Sequence, residues 1–302
     1  MSSIDAEPEN RVFAGVETAR SGTAVAMEDI ESRVQRDLAR SEWRARISSV
    51  VSPVALLIAV LLLWEGVTRA FGIPRFLLPP PTVVLLSLVD HAGILLSNGW
   101  ITTLEIVLGF ALSIVIGIPL ALASFLCPPF SRCVFPLLVS SQAMPKVAIA
   151  PLLLVWFGFG LLPKVLVAFL IAFFPVVINT SVGLAAIERE KIYLARSMGL
   201  SEIATFLKIR LPNALPSIFG GLKISITLAV VGAVVGEFVG GDGGLGYLLM
   251  VANGSIDTPL LFADLAVLTV LGVILFMLVE LAERMVIPLH ARAAGTGAPQ
   301  SL

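Results

Sequence analysis

Apolar residues fall in long unbroken blocks, roughly 48–70, 100–126, 133–158, 163–187, 213–239 and 261–283. Each is long enough to supply the ~20 residues that carry a helix across ~30 Å of hydrocarbon. The pattern predicts an all-α membrane protein of about six transmembrane helices. Pro145 and Pro151 lie inside the third block, and a proline there predicts a kink or break at each. Between the first two blocks, residues 71–84 carry Pro74, Pro79, Pro80 and Pro81. That spacing predicts an extended loop, with a short helix following through 85–97.

The polar segments divide the rest. Residues 1–46 form a polar N-terminal tail, 47–287 the transmembrane domain, and 288–302 a short polar C-terminal tail. Over 27–46, a basic amphipathic helix lying on a membrane and a solvated tail are both compatible with the pattern. Residues 188–212, EREKIYLARSMGLSEIATFLKIRLP, are too charged to cross a bilayer. They predict two short helices broken at Gly199, a residue suited to a left-handed helix end. Ser201 is placed to cap the second helix, and Glu202 sits in its first turn, where the helix dipole favours an anion. Pro212 then marks the entry to the fifth span. A polar helix–turn–helix of this kind is a docking surface for a soluble partner.

Composition agrees with lipid as the solvent. Hydrophobic residues make up 57% of the 302 positions and charged residues 14%, with a mean hydropathy of +0.98. Soluble domains average about 45–50% and 25%. The net charge of −1 supplies no electrostatic footprint for nucleic acid. The distribution of charge sets an orientation. The N-terminal tail, Arg132, the 188–211 segment, Arg284 and Arg292 hold most of the Lys and Arg, against Arg69, Arg75 and Lys164 in loops on the other side. Cationic loops stay inside, so both termini are expected in the cytoplasm.

The chain offers little for catalysis. None of its lysines directly follows a glycine, so it has no phosphate loop of the G-x-x-x-x-G-K-[ST] type. His91 and His290 are far apart, no metal site or Ser/His/Asp set is visible, and Cys127 and Cys133 are read as small apolar fillers. Ionisable and polar groups inside spans should face the bundle or a wet path. Gln142, Lys146, Asn179, Thr227 and Glu237 are the candidate translocation-path residues. Lys146 is placed either to attract an anionic solute or to snorkel or pair with a helix carbonyl. Lys223 is expected to snorkel, Glu65 and Glu105 to sit at the interface, and Glu237 to gate the path or hydrogen-bond a loop. Gly232-x-x-x-Gly236 is a close-packing pattern.

Gly199, nine residues, then Ile209-Arg210-Leu211-Pro212 resembles the coupling loop of ATP-binding-cassette (ABC) importer permeases. Ahead of it, Tyr193-Leu194-Ala195 stands where Glu-Ala-Ala is usual in that family, and Ala195 alone agrees. The stretches at 145–165, 174–183 and 211–238, with FLLPPPTVV after the first span, are similar to the nitrate/sulfonate/taurine branch, and the likeness covers about 50–290. The resemblance implies a type I importer permease fold with ATPase coupling through Tyr193, Ala195, Gly199, Leu200, Ser201, Glu202, Ile209, Leu211 and Pro212. It also implies a second permease copy in a homodimer, two ATPase subunits that bind ATP and Mg, and a periplasmic or lipid-anchored solute-binding protein. The chain itself would be a non-catalytic subunit without cofactor, in the bacterial inner membrane, passing a small anionic solute by alternating access. The competing reading is an ion-coupled secondary carrier. Such a carrier would show repeated halves and paired carboxylates in broken helices, and neither is evident.

Overall fold

A computed structural model describes residues 55–287; the two polar tails and the start of the first predicted span lie outside the described residues. The chain divides into two units, 1–70 and 71–302. In the first, residues 55–70 form one helix, α1. The Thr68 hydroxyl donates back to the Trp64 and Glu65 carbonyls at 3.0 Å each, which satisfies a polar group where lipid offers no partner.

The second unit opens with the proline-rich stretch. Leu77 and Leu78 donate their N–H groups to the Pro74 carbonyl, and the Thr258 hydroxyl donates to the Phe76 carbonyl at 2.6 Å. Helix α2, Pro81–Asp90, places Pro81 in its first turn, where a missing N–H costs nothing. Here the structure corrects the predicted helix over 85–97. Residues 92–97 belong instead to α3, Ala92–Leu126, because no breaker lies between Ala92 and the second span.

The third block is broken, as its prolines predict, but at one place. Helix α4, Pro128–Gln142, stops before Pro145; a 3₁₀ turn over Lys146–Ile149 leads into α5, Ala150–Phe157. The two parts are bent by 88°. Pro151 adds no second break, since it falls in the first turn of α5, a tolerated position. Helix α6, Leu161–Ala185, follows.

Helix α7, Arg189–Ser197, ends with Gly199 at φ +78°. The Leu200 N–H reaches the Ala195 carbonyl and the Gly199 N–H the Arg196 carbonyl, the paired closure of a left-handed glycine end. Ser201 caps α8, Glu202–Thr205, by accepting from the Ala204 N–H at 3.2 Å. Pro212 falls in the first turn of the next long helix, the entry that the sequence expects. A π-helical turn, Phe206–Arg210, joins α8 to α9, Leu211–Gly240, in one 39-residue helix. Pro212 has no N–H for the Lys208 carbonyl and its ring crowds that oxygen, so the wider turn lets the helix pass the proline. Helix α10, Leu245–Gly254, and α11, Thr258–Val286, complete the unit. Asp257 caps α11 through the Leu260 N–H at 3.1 Å.

Glycines set how the helices lie. A β-carbon on Gly109 would meet Val165 and Ala168, and one on Gly117 would meet Val176 and Val177, so α3 and α6 run parallel. Along α9, Gly221 faces Pro175 and Asn179, Gly232 faces Ala168 and Gly236 faces Lys164. Helices α6 and α9 are therefore antiparallel and nearly in backbone contact, as the Gly232-x-x-x-Gly236 pattern predicts. Ile106, Ala168, Ala172, Ile226, Ala229 and Ala233 pack at this crossing. Because α3 and α6 are parallel, the bent α4–α5 pair returns the chain from one end to the other. Four described helices are individually long and apolar enough to cross a membrane, and five with the bent pair counted as one span. The chain is a multi-pass helical membrane protein.

Candidate functional site

Chain direction gives the bundle two polar ends. The 188–210 segment hangs from the end where α6 stops and α9 starts. Tyr193, Leu194, Met198 and Ile203 are exposed on it, each by more than 60% of its surface. Such residues on a charged hairpin leave a half-apolar face uncovered. Across the turn, Arg196 pairs with Glu202 at 2.7 Å, a second role for Glu202 beside its place in the first turn of α8. Ala195 is buried and Leu200 half-buried, while Gly199, Ser201 and Pro212 are exposed. Ile209 and Pro212 line a cavity of about 720 Å³ behind the hairpin, with Glu188, Lys191, Lys208, Asn213 and Ser217.

Gln142, Lys146 and Asn179 lie on α4, in the turn after it and on α6. Lys146 stands in the break between α4 and α5, its Nζ 4.4 Å from the centre of the Phe174 ring on α6, a cation–π contact. Asn179, on the same helix, returns a hydrogen bond to the Pro175 carbonyl at 2.9 Å and packs on Gly221. Gln142 is the last residue of α4, and exposed. Thr227 and Glu237 lie on α9. Thr227 lines a groove between α9 and α11 with Phe276 and Glu280 and bonds back to the Ile224 carbonyl at 2.8 Å. Lys223, expected to snorkel, is partly exposed and pairs with Glu283 on α11 at 2.7 Å. Cys127 and Cys133 are exposed free thiols rather than packed fillers.

The far end holds the densest polar cluster, and sequence reasoning scattered its members. Glu105, assigned to the interface, is fully buried, and Lys164, assigned to a loop, is 3% exposed. They pair at 3.1 Å. Lys164 also donates to Asp242 at 3.2 Å and to the Gly243 carbonyl at 3.3 Å. Glu237 is buried and hydrogen-bonds the loop, one of its two expected roles. It accepts from the Thr102 hydroxyl at 2.7 Å and from the Gly246 N–H. Thr102 in turn accepts from the Leu245 N–H, and Asn98 from the Gly244 N–H, both at 2.8 Å. Gly244 is a glycine because its φ is +108° and the Glu237 carboxylate occupies the space of a β-carbon. The hydrogen bond from Lys164, then the backbone, then the lysine charge hold the Asp242 carboxyl below its usual value. Asp264 on α11 was also missed; it is fully buried with no hydrogen-bond partner among the described residues. A legible signal existed: Glu105, Lys164, Glu237 and Asp242 all fall near the same ends of their predicted spans.

Comparison with known proteins agrees with this architecture. Residues 113–288 match the model of the family described as binding-protein-dependent transport system inner membrane component. The chain is 39% identical over 254 residues to the riboflavin transport system permease protein RibX of Chloroflexus aurantiacus, covering 83% of this chain and 93% of that protein. It is 36% identical over 244 residues to the formylaminopyrimidine transport permease protein ThiX of Halalkalibacterium halodurans, covering 80% and 97%. It is 28% identical over 259 residues to the taurine transport system permease protein TauC of Escherichia coli, covering 83% and 94%. In fold it is similar to a chain of the inward-facing MetNI methionine ABC transporter, with a TM-score of 0.56 at 21% identity over 66% of this chain and 99% of that one. A charged hairpin hung from a bundle of apolar helices, a family match over more than half the chain and full-length permease relatives lead to one assignment: the chain belongs to the binding-protein-dependent transport system inner membrane component family, the permease components of ABC transporters.

Proposed function

We propose that this chain is the membrane-spanning subunit of an importer in the bacterial inner membrane, with both termini in the cytoplasm. A solute-binding protein delivers a small organic solute at the far end of the bundle, and a separate pair of ATPase subunits drives its passage between two copies of this chain. The observation that carries the reading is the 188–210 hairpin. It is charged enough to stay in water, it exposes Tyr193, Leu194, Met198 and Ile203, and it continues through the π turn into α9. A partner that moves this hairpin moves a transmembrane helix with it. No covalent chemistry occurs in the chain; ATP and Mg belong to the partner ATPase. The two conformations are an equilibrium that ATP and the loaded binding protein bias.

Lys146 supports an anionic solute. It is a cation at a break in a span, held, among the described residues, by the face of Phe174, and an entering carboxylate or sulfonate would find it available. The same pair favours a second reading of the solute. A ring with an amine above it also accommodates a flat, carbonyl-bearing heterocycle, and the relatives RibX and ThiX carry the names of such compounds.

Reconstitution in sealed vesicles with the ATPase and the solute-binding protein tests the whole reading. ATP-dependent uptake that requires both partners is the expected result. Uptake driven by an ion gradient without the ATPase would replace it with the secondary-carrier reading. Calorimetric titration of the solute-binding protein with taurine, an alkanesulfonate, riboflavin and an aminopyrimidine separates the two solute classes.

A further inference from the structure

The 241–244 loop and the first two residues of α10 are held by three helices at once. Asn98 and Thr102 on α3, Lys164 on α6 and Glu237 on α9 each bind a separate group of this stretch. These contacts differ in how much it costs to break them. Parting Lys164 from Glu105 would strand two buried charges, their side chains 4% and 0% exposed, which is a large penalty. Parting Glu237 from Gly246 would leave a buried carboxylate and a buried N–H short of partners. Parting Lys164 from Asp242 strands neither charge. Lys164 keeps Glu105 and the Gly243 carbonyl, and Asp242, with a side chain already 78% exposed, passes into water. One contact of the set is therefore built to release. Gly243 and Gly244 follow it directly, and Gly244 is already in a conformation that side-chain-bearing residues avoid.

We propose that the Lys164–Asp242 pair is a releasable latch that keeps the 241–244 loop closed over the far end of the bundle, with Glu105 as the permanent partner that positions Lys164 for it. The proposal rests on the permease reading, in which the far end is where the binding protein delivers its solute. While the latch is shut, the resting state is favoured and the transporter hydrolyses little ATP. When the loaded binding protein docks, the loop leaves Lys164 and the ATP-bound, outward-open state becomes accessible. Latch strength thus sets how far ATP hydrolysis depends on the binding protein.

The test uses the complete transporter in lipid nanodiscs, comparing ATP hydrolysis with and without the loaded solute-binding protein. Asp242→Asn keeps the size of an exposed side chain and removes its charge, so the buried pair is untouched. Its basal hydrolysis is expected to rise at least about fivefold, the lower end of ordinary coupling between sites. Stimulation by the binding protein should fall in proportion. Asp242→Glu should restore the wild-type ratio, since the carboxylate still reaches the lysine. A purely structural contact would lower the melting temperature and leave the ratio alone. Wild-type basal hydrolysis and an unchanged ratio in Asp242→Asn overturn the latch, whether or not melting shifts. Failure of the permease reading looks different: the wild-type chain itself would neither assemble with the ATPase nor respond to the binding protein.

Discussion

Gly232 on α9 lies so close to Ala168 on α6 that a β-carbon at Gly232 would stand 2.6 Å from the Ala168 α-carbon. The obstacle is backbone, so no side-chain rotation can clear it. Gly232→Val should force the two helices apart and lower stability by about 1–3 kcal/mol, the usual result of overpacking a tight contact. Thermal unfolding in mild detergent checks this. Gly220 provides the control, because nothing lies within 4 Å of the β-carbon it would gain, and Gly220→Ala should leave unfolding close to wild type.

Glu237 ties α9 to both α3 and α10. Glu237→Ala leaves the buried Gly246 N–H without its acceptor, while the Thr102 hydroxyl keeps the Asn98 carbonyl at 3.2 Å. Unsatisfied buried donors cost about 1–3 kcal/mol. The expected outcome is a lower melting temperature together with faster amide exchange confined to residues 243–248. Uniform exchange across the protein would show that Glu237 is not a local tie.

Gly199 closes α7 at φ +78° with nothing within 4 Å of the side chain it lacks. Space is not the constraint there; backbone conformation is. A β-branched residue pays about 1–2 kcal/mol in the left-handed region, and the hairpin would reopen to avoid it. Gly199→Val should therefore lower solute-dependent ATP hydrolysis while global melting stays near wild type. Charge reversal at Glu202, which breaks an exposed pair with Arg196, should likewise lower coupling. Unchanged coupling and assembly in both variants would remove the hairpin as the docking surface.

Ile256, between α10 and α11, has φ +59° and is 68% exposed. A branched residue in that conformation is strained. Ile256→Gly should raise the melting temperature, and by more than the ordinary benefit of removing an exposed apolar side chain. Ile256→Ser, which keeps the β-carbon, provides that comparison.

The sequence carried the helices further than it carried their contacts. Block length located the spans, and Gly199 and Ser201 located the hairpin, because these depend on solvent and on local backbone geometry. Pro145 broke the third span for the same local reason. The errors came where distant residues decide the outcome. Lys164 at a block edge reads as a loop cation, because its nearness to Glu105 and Asp242 shows only when the ends of separate spans are set side by side. Lys223 near a span end reads as a cation reaching for water, and its pairing with Glu283 at 2.7 Å is supplied by another helix. Pro212 marks the entry to α9 as its local geometry requires, whereas the π turn that joins α9 to α8 depends on the residues before it as a group. Polarity alone groups the candidate path residues: Lys146 meets Phe174, Asn179 packs on Gly221, Thr227 lines the groove between α9 and α11, and Glu237 joins the far-end cluster.

The unbroken helix from Glu202 to Gly240 has a mechanical consequence. Its 39 residues make a rod of roughly 58 Å at the standard rise, nearly twice the ~30 Å of hydrocarbon it crosses. Glu202 is near one tip and Glu237 near the other. A thrust on the hairpin thus travels to the far loop along one helix, which is softened near the hairpin by the π turn and by Pro216. The π turn is a compliant joint in that rod, and it sits at the hairpin end. Tilt is absorbed at the joint, and what remains to travel along the rod is push and pull.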